Sequence, residues 1–181
     1  IKFYFLAIFL NRKCQQTLIE IVICSIIISI IYFYTIPYFH QYMAQAEIKK
    51  VQKLLSYSNL TAKSHASTYR ANVVICSTDN GEQCQKAQWH TGLLIFQDTN
   101  QNKQVDSNEK IILYEKTKLK YGTLDWRGTL SSPHLTFMAK HDGLPIGSNG
   151  SFFYCSFHNL SNKRIVLSKM GHIRIEDSKN C

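Results

Sequence analysis

Residues 21–46 carry no Lys, Arg, Asp or Glu, and the run IVICSIIISIIYFYTIPYF within them is apolar on every side of a helix. A surface helix needs a polar stripe, so this segment must find an apolar surround on all faces. From Leu18 to Phe39 it is long enough, at ~1.5 Å rise per residue, to cross ~30 Å of hydrocarbon. A buried core helix is the competing reading. A chain of 181 residues has little room to house so many β-branched side chains all round. Lys2, Arg12 and Lys13 precede the run, and no basic residue follows before Lys49. The positive-inside bias then puts the N-terminus in the cytoplasm and the chain beyond residue 40 outside. Apolar residues make up 45% of the sequence but gather at one end, which excludes a polytopic membrane protein. Eight Gly and three Pro exclude collagen-like and low-complexity classes.

Two residues do not fit a plain anchor. Glu20 opens the apolar run, where a carboxylate is costly unless it is paired or reaches the interface. Pro37 lacks an N–H and is expected to kink or loosen the helix near residues 33–37. Upstream, FYFLAIFL (3–10) is too short to span and is cut off from the main run by NRKCQQ. Arg12-Lys13, Thr17-Leu18-Ile19-Glu20-Ile21, the uncharged stretch and Pro37 together resemble the N-terminus of type IV pilins and type II secretion pseudopilins. Setting Glu20 on the superfamily glutamate makes Gln16 the first mature residue and brings Pro37 onto the superfamily proline without a gap. Gln15 and Gln16 then flank the cut, where the superfamily carries Gly and Phe, a departure at the processing site. The resemblance implies a leader over 1–15 and other pilins or pseudopilins, the bacterial inner membrane and a prepilin peptidase as partners. It also implies that Glu20 pairs with the N-terminal amine of a neighbouring subunit, as a register device.

The hydrophobic pattern divides the remainder. A transmembrane helix over 16–39 continues as an amphipathic helix over 40–70, with Ile48, Val51, Leu54, Leu55, Tyr57 and Leu60 at three- and four-residue spacing. An extracytoplasmic β domain follows over 71–181, with short runs rich in Val, Ile, Phe and Tyr at 72–76, 92–96, 110–114, 134–139, 151–157, 164–168 and 172–175. Gly, Asn, Asp and Ser clusters separate them, and residues 169–172 read as a hairpin turn between the last two. The class is α+β, with one long helix covering a face of antiparallel sheet. Of six cysteines, Cys14 and Cys24 lie in the leader and membrane segment. Cys76, Cys84, Cys155 and Cys181 fall on the oxidising side, and proximity favours 76–84 and 155–181 among the three possible pairings. Close CxxC or HxxxH spacing for zinc is absent.

A narrower resemblance covers residues 76–175. Cys76, Cys84, Trp89, Gly92, Phe96-x-Asp98-x-Asn100-x-Asn102, Asp106, Glu109, then Asn149-Gly150-Ser151-Phe152, Cys155, Arg164-Ile165-Val166-Leu167-Ser168 and Gly171 are similar to the GspH/FimT family of minor pilins, nearer its FimT side. The fold this implies is pilin-like, a long N-terminal helix packed on an antiparallel β-sandwich. The function it implies is a minor pilin or pseudopilin of a type IV pilus or type II secretion system, displaying its β domain near a filament tip. No cofactor is implied.

Two further site readings stand beside this one. Asp98, Asn100, Asn102, Asp106 and Glu109 hold positions one, three, five, nine and twelve of an EF-hand loop, with Gln104 at seven to supply a carbonyl. Lys103 takes the place of the sharp-turn Gly, and the flanks read as strands, so a polar hairpin loop is the preferred reading over a calcium site. Charge is the second lead. The chain has 21 Lys+Arg against 12 Asp+Glu, and setting aside Lys2, Arg12, Lys13 and Glu20 leaves 18 against 11 on the outer side. Lys163, Arg164, Lys169, His172 and Arg174 crowd the last two strands. FimT-like proteins are associated with uptake of double-stranded DNA, and their Gly-Arg-x-Arg turn is matched here at Gly171 and Arg174 but not at His172. Such a site would grip phosphates and weaken with salt, and a merely solvated basic face is the alternative. A membrane-tethered adhesin is the remaining non-filament reading. Gly-x-Ser-x-Gly, a Gly-rich phosphate loop and His-Glu-x-x-His are all missing, so the chain does not read as an enzyme.

Overall fold

The computed structural model describes residues 18–157, 162–179 and 181. The leader, its Gln15–Gln16 cut and Cys14 lie outside the described residues. The first helix, α1, runs from Leu18 to Tyr69, and the chain divides between Phe39 and His40 into two units.

In the first unit every residue from 18 to 39 is exposed, with Ile28 at 64% and Phe33 at 77%. A core helix would be covered; this one is not, and it is long and apolar enough to cross a membrane. Its two serines are satisfied on the helix itself, Ser25 Oγ donating to Val22 O at 2.8 Å and Ser29 Oγ to Ser25 O at 2.7 Å. Cys24 is free and exposed. The helix continues through Pro37 as one element. A proline forfeits one intrahelical bond, which the uninterrupted turns on either side can absorb.

The second unit contains, among the described residues, the rest of α1 and eight strands. These are β1 (Asn72–Ser77), β2 (Gly92–Asp98), β3 (Ile111–Lys116), β4 (Gly122–Gly128), β5 (Leu135–Phe137), β6 (Gly150–Ser156), β7 (Asn162–Leu167) and β8 (Ile173–Ser178). They form two antiparallel four-stranded sheets, ordered β3-β2-β1-β5 and β4-β6-β7-β8. The expected α+β class and sandwich are present; β4 is an addition. Its GTLDWRG alternates, burying Leu124 and Trp126 between polar neighbours.

The core lies between α1 and the two sheets. Ile48, Val51, Leu55, Ala62 and Ala66 of α1 meet Val73, Ile75, Leu93 and Ile95 of the first sheet and Leu124, Phe152, Ile165 and Leu167 of the second. Full burial of each large aliphatic side chain contributes ~1.5–3 kcal/mol. The helix face differs from the expected stripe: Tyr57 and Leu60 are exposed, and Ser58, Ala62 and Ala66 are buried instead. Small side chains let a helix backbone approach closely. At Gly143 (φ +74) an added Cβ would fall 2.4 Å from the Lys63 carbonyl oxygen.

Glu47 fastens the same helix by polar contacts. Its Oε1 accepts the Tyr154 hydroxyl at 2.7 Å and the Tyr121 N–H at 3.1 Å, and its Oε2 accepts the Lys120 N–H at 2.7 Å. Tyr154 is fully buried, and burial first, then the hydrogen bond and the charge of Glu47, hold its phenol well above the ordinary tyrosine range.

The first sheet is covered on both faces. Val74, Cys76, Leu94 and Phe96 point away from α1 into a second cluster with Cys84, Val105 and Tyr114. Coverage on both faces explains why VVIC and LLIF are unbroken apolar runs rather than alternating ones. Two loops supply that outer cover: 78–91, tied by Cys76–Cys84, and 99–110, which brings Val105.

Candidate functional site

Glu20 lies in the first turn of α1, where a carboxylate is favoured by the helix dipole. Its neighbours Leu18, Ile19, Ile21 and Val22 are apolar and exposed.

The loop between β2 and β3 is a polar turn joining antiparallel strands. Asp98 ends β2 at 1% exposure, and its Oδ2 accepts the Lys103 N–H at 3.2 Å. Asn100 Oδ1 accepts the Asn102 N–H at 3.1 Å, and Asn102 Oδ1 accepts the Gln104 N–H at 2.8 Å. Both amides donate to Asp106 Oδ2, at 2.7 and 2.8 Å. Glu109 closes the ring, accepting the Thr99 N–H at 2.8 Å and the Asp106 N–H at 3.4 Å. Gln101 (φ 64) and Lys103 (φ 61) are left-handed, so Lys103 adopts the turn for which a glycine would be expected. The charge of Lys103 is felt at His134: together with burial, the larger cause, it lowers the His134 pKa. Both residues line a cleft of about 430 Å³ with Cys76, Cys84 and Gln85.

The basic residues of the last hairpin are distributed unequally. Lys163 pairs with Asp177, directly opposite on β8, and Arg174 Nε lies 2.8 Å from Glu176 Oε1. Arg164 Nε donates to Ser151 Oγ at 3.0 Å, and its guanidinium stands over the Phe153 ring. Lys169 and His172 are exposed at the turn. The turn itself is docked on α1, with Asn59 Nδ2 donating to Gly171 O at 2.8 Å.

Cys76–Cys84 and Cys155–Cys181 are both bonded, the two pairings that proximity favours. Beyond Cys84, the same β1–β2 connection carries Trp89, which is 2% exposed and meets Phe152 edge-on at 5.0 Å between ring centroids. Thr117 Oγ1 holds the Trp89 carbonyl at 3.0 Å. Trp89 therefore plugs the sandwich from a loop, a role its sequence position alone does not reveal.

The family model for Type II transport protein GspH matches residues 57–171, more than half of the chain. The chain belongs to the GspH family. The match begins in the second half of α1 and ends at the β7–β8 turn, so it takes in Trp89, the β2–β3 loop and Cys155. No curated protein matches this GspH-family chain by sequence. Among solved structures, two crystal forms of the type IV minor pilin FimU of Pseudomonas aeruginosa share its fold. One is 16% identical with a TM-score of 0.53, covering 80% of this chain and 98% of FimU. The other is 17% identical with a TM-score of 0.50, covering 76% and 98%. The GspH-family chain thus has the fold of these pilins, a long N-terminal helix with antiparallel sheets.

Proposed function

We propose that this GspH-family chain is a minor subunit of a type IV pilus or type II secretion filament. In this reading residues 16–39 span the bacterial inner membrane, the N-terminus is cytoplasmic and the β domain is periplasmic until assembly displays it near the tip. Residues 1–15 are the leader, the substrate of a prepilin peptidase. Catalysis plays no part. The observation that carries the proposal is the wholly exposed apolar helix 18–39 with a carboxylate in its first turn, on a domain of minor-pilin fold. In this reading Glu20 pairs with the N-terminal amine of a neighbouring subunit, as the superfamily resemblance implies, which offsets the cost of a carboxylate in hydrocarbon. Glu20→Ala should leave the chain in the membrane fraction of its host but remove it from sheared or co-purified filaments. Normal filament recovery of that variant refutes the assignment of Glu20.

A second reading, capture of double-stranded DNA, is supported by the exposure of Lys169 and His172 at the β7–β8 turn. It is weakened by the acids beside Lys163 and Arg174. Backbone phosphates would be the target, and retention would fall steeply with salt. Lys169→Ala/Arg174→Ala and the parent are compared in a low-salt duplex gel shift; equal retardation removes this reading.

A further inference from the structure

Asp98 is the least accessible acid of the β2–β3 loop, and only one of its two carboxylate oxygens is satisfied. Oδ2 accepts from the Lys103 backbone, which turns the carboxylate toward the loop it opens, while Oδ1 is buried without a donor. A buried anionic oxygen without a partner is costly, and native folds keep one only where something else meets it. We propose that residues 98–109 form a calcium site, with oxygen from the side chains of Asp98, Asn100, Asn102, Asp106 and Glu109 and from the Gln104 carbonyl.

The spacing follows the one-three-five-seven-nine-twelve order of a twelve-residue calcium loop, here carried between two strands instead of two helices. The left-handed residues at Gln101 and Lys103 let the chain wrap, and the turns at Asn100 and Asn102 fix each amide oxygen while leaving a lone pair for a cation. Glu109 is folded back across the loop by its contacts to Thr99 and Asp106. Val105 is packed into the cluster behind the first sheet, so the middle of the loop is anchored on the fold. The Lys103 side chain lines the cleft with His134 and is not one of the donors. On cation entry the two amide contacts to Asp106 are exchanged, and Asp106 takes the ninth position, which calcium loops commonly use through water.

All donors are hard oxygens, which suit calcium or magnesium and not thiolate- or imidazole-seeking metals. A flexible loop offering six or more oxygens fits calcium, whereas magnesium demands a compact octahedron and keeps its waters. Three carboxylates, with no further acid in the loop, place the affinity with that of extracellular modules, a Kd on the order of 10⁻⁴–10⁻³ M.

The test uses the full chain in detergent, stripped with EDTA and titrated with calcium chloride while thermal unfolding is followed. Calcium at 5 mM should raise Tm by on the order of 3–8 °C. Magnesium at the same concentration should raise it by less than half as much. Glu109→Gln and, as the gentler change, Asp106→Asn should each weaken calcium binding about tenfold or more in calorimetric titration. The proposal is overturned if the parent shows no calcium shift, if magnesium matches calcium, or if both variants keep the parent affinity.

Discussion

Removing the Glu47 carboxylate should separate α1 from the second sheet at a polar point that no apolar contact replaces. Glu47→Ala strands three donors. The Lys120 N–H is on an exposed residue and can turn to water at little cost, and the Tyr121 N–H is part-buried. The Tyr154 hydroxyl is on a residue with no accessible surface, so its desolvation is left uncompensated. An unsatisfied buried hydroxyl costs ~1–3 kcal/mol, and a lost hydrogen bond to a charged acceptor ~1.5–3 kcal/mol, so the change should cost roughly 3 kcal/mol. For a domain of this size that is a fall in Tm of about 10 °C, read by near-ultraviolet circular dichroism on the detergent-solubilised chain. The double variant with Tyr154→Phe should lose little more than Glu47→Ala alone, because one bond cannot be broken twice. A fall under about 2 °C, or strict additivity of the two changes, would refute the latch.

Because the folded Tyr154 phenol is held above its ordinary value of 10.0, the neutral form is favoured by folding. Its contribution is complete below that value and is lost as the pH rises beyond it, at up to ~1.4 kcal/mol per pH unit. Tyr154→Phe should therefore flatten the alkaline decline of Tm between pH 9 and pH 11, measured as the difference from the parent. Gly143→Ala combines a left-handed φ with a Cβ 2.4 Å from the Lys63 carbonyl, and should cost roughly 2–3 kcal/mol in denaturant unfolding. Reduction of both disulfides should cost ~2.6 kcal/mol for Cys76–Cys84 and ~3.5 kcal/mol for Cys155–Cys181 on a chain-entropy basis, and single Cys→Ser variants measured by urea titration should fall in that order.

How much of this was legible in the chain depended on whether apolarity or geometry carried the signal. The charge-free run declared α1, and the runs VVIC and LLIF declared strands, because burial on both faces leaves a long apolar word. β4 was silent: GTLDWRG shows only Leu124 and Trp126, and two apolar residues do not stand out against five others. The distal face of α1 misled for a related reason. Tyr57 and Leu60 looked like core, yet close packing selected Ser58, Ala62 and Ala66, whose hydropathy is weak. The basic hairpin needed strand register before its charges could be judged, since Asp177 meets Lys163 only when the ladder aligns them across the turn. The calcium-like spacing was visible in full; the stranded oxygen on Asp98 was not, because burial of one carboxylate atom depends on chain segments remote in sequence.

The bond between Cys155 and Cys181 has a mechanical consequence. Chain order would have a pull on the C-terminus strip β8 from β7 and then β7 from β6, one ladder rung at a time. The cross-link reroutes that tension directly into β6, which is paired to β4 on its other side. β7 and β8 are left inside a covalently closed, unloaded loop, so the second sheet resists unzipping from its free end.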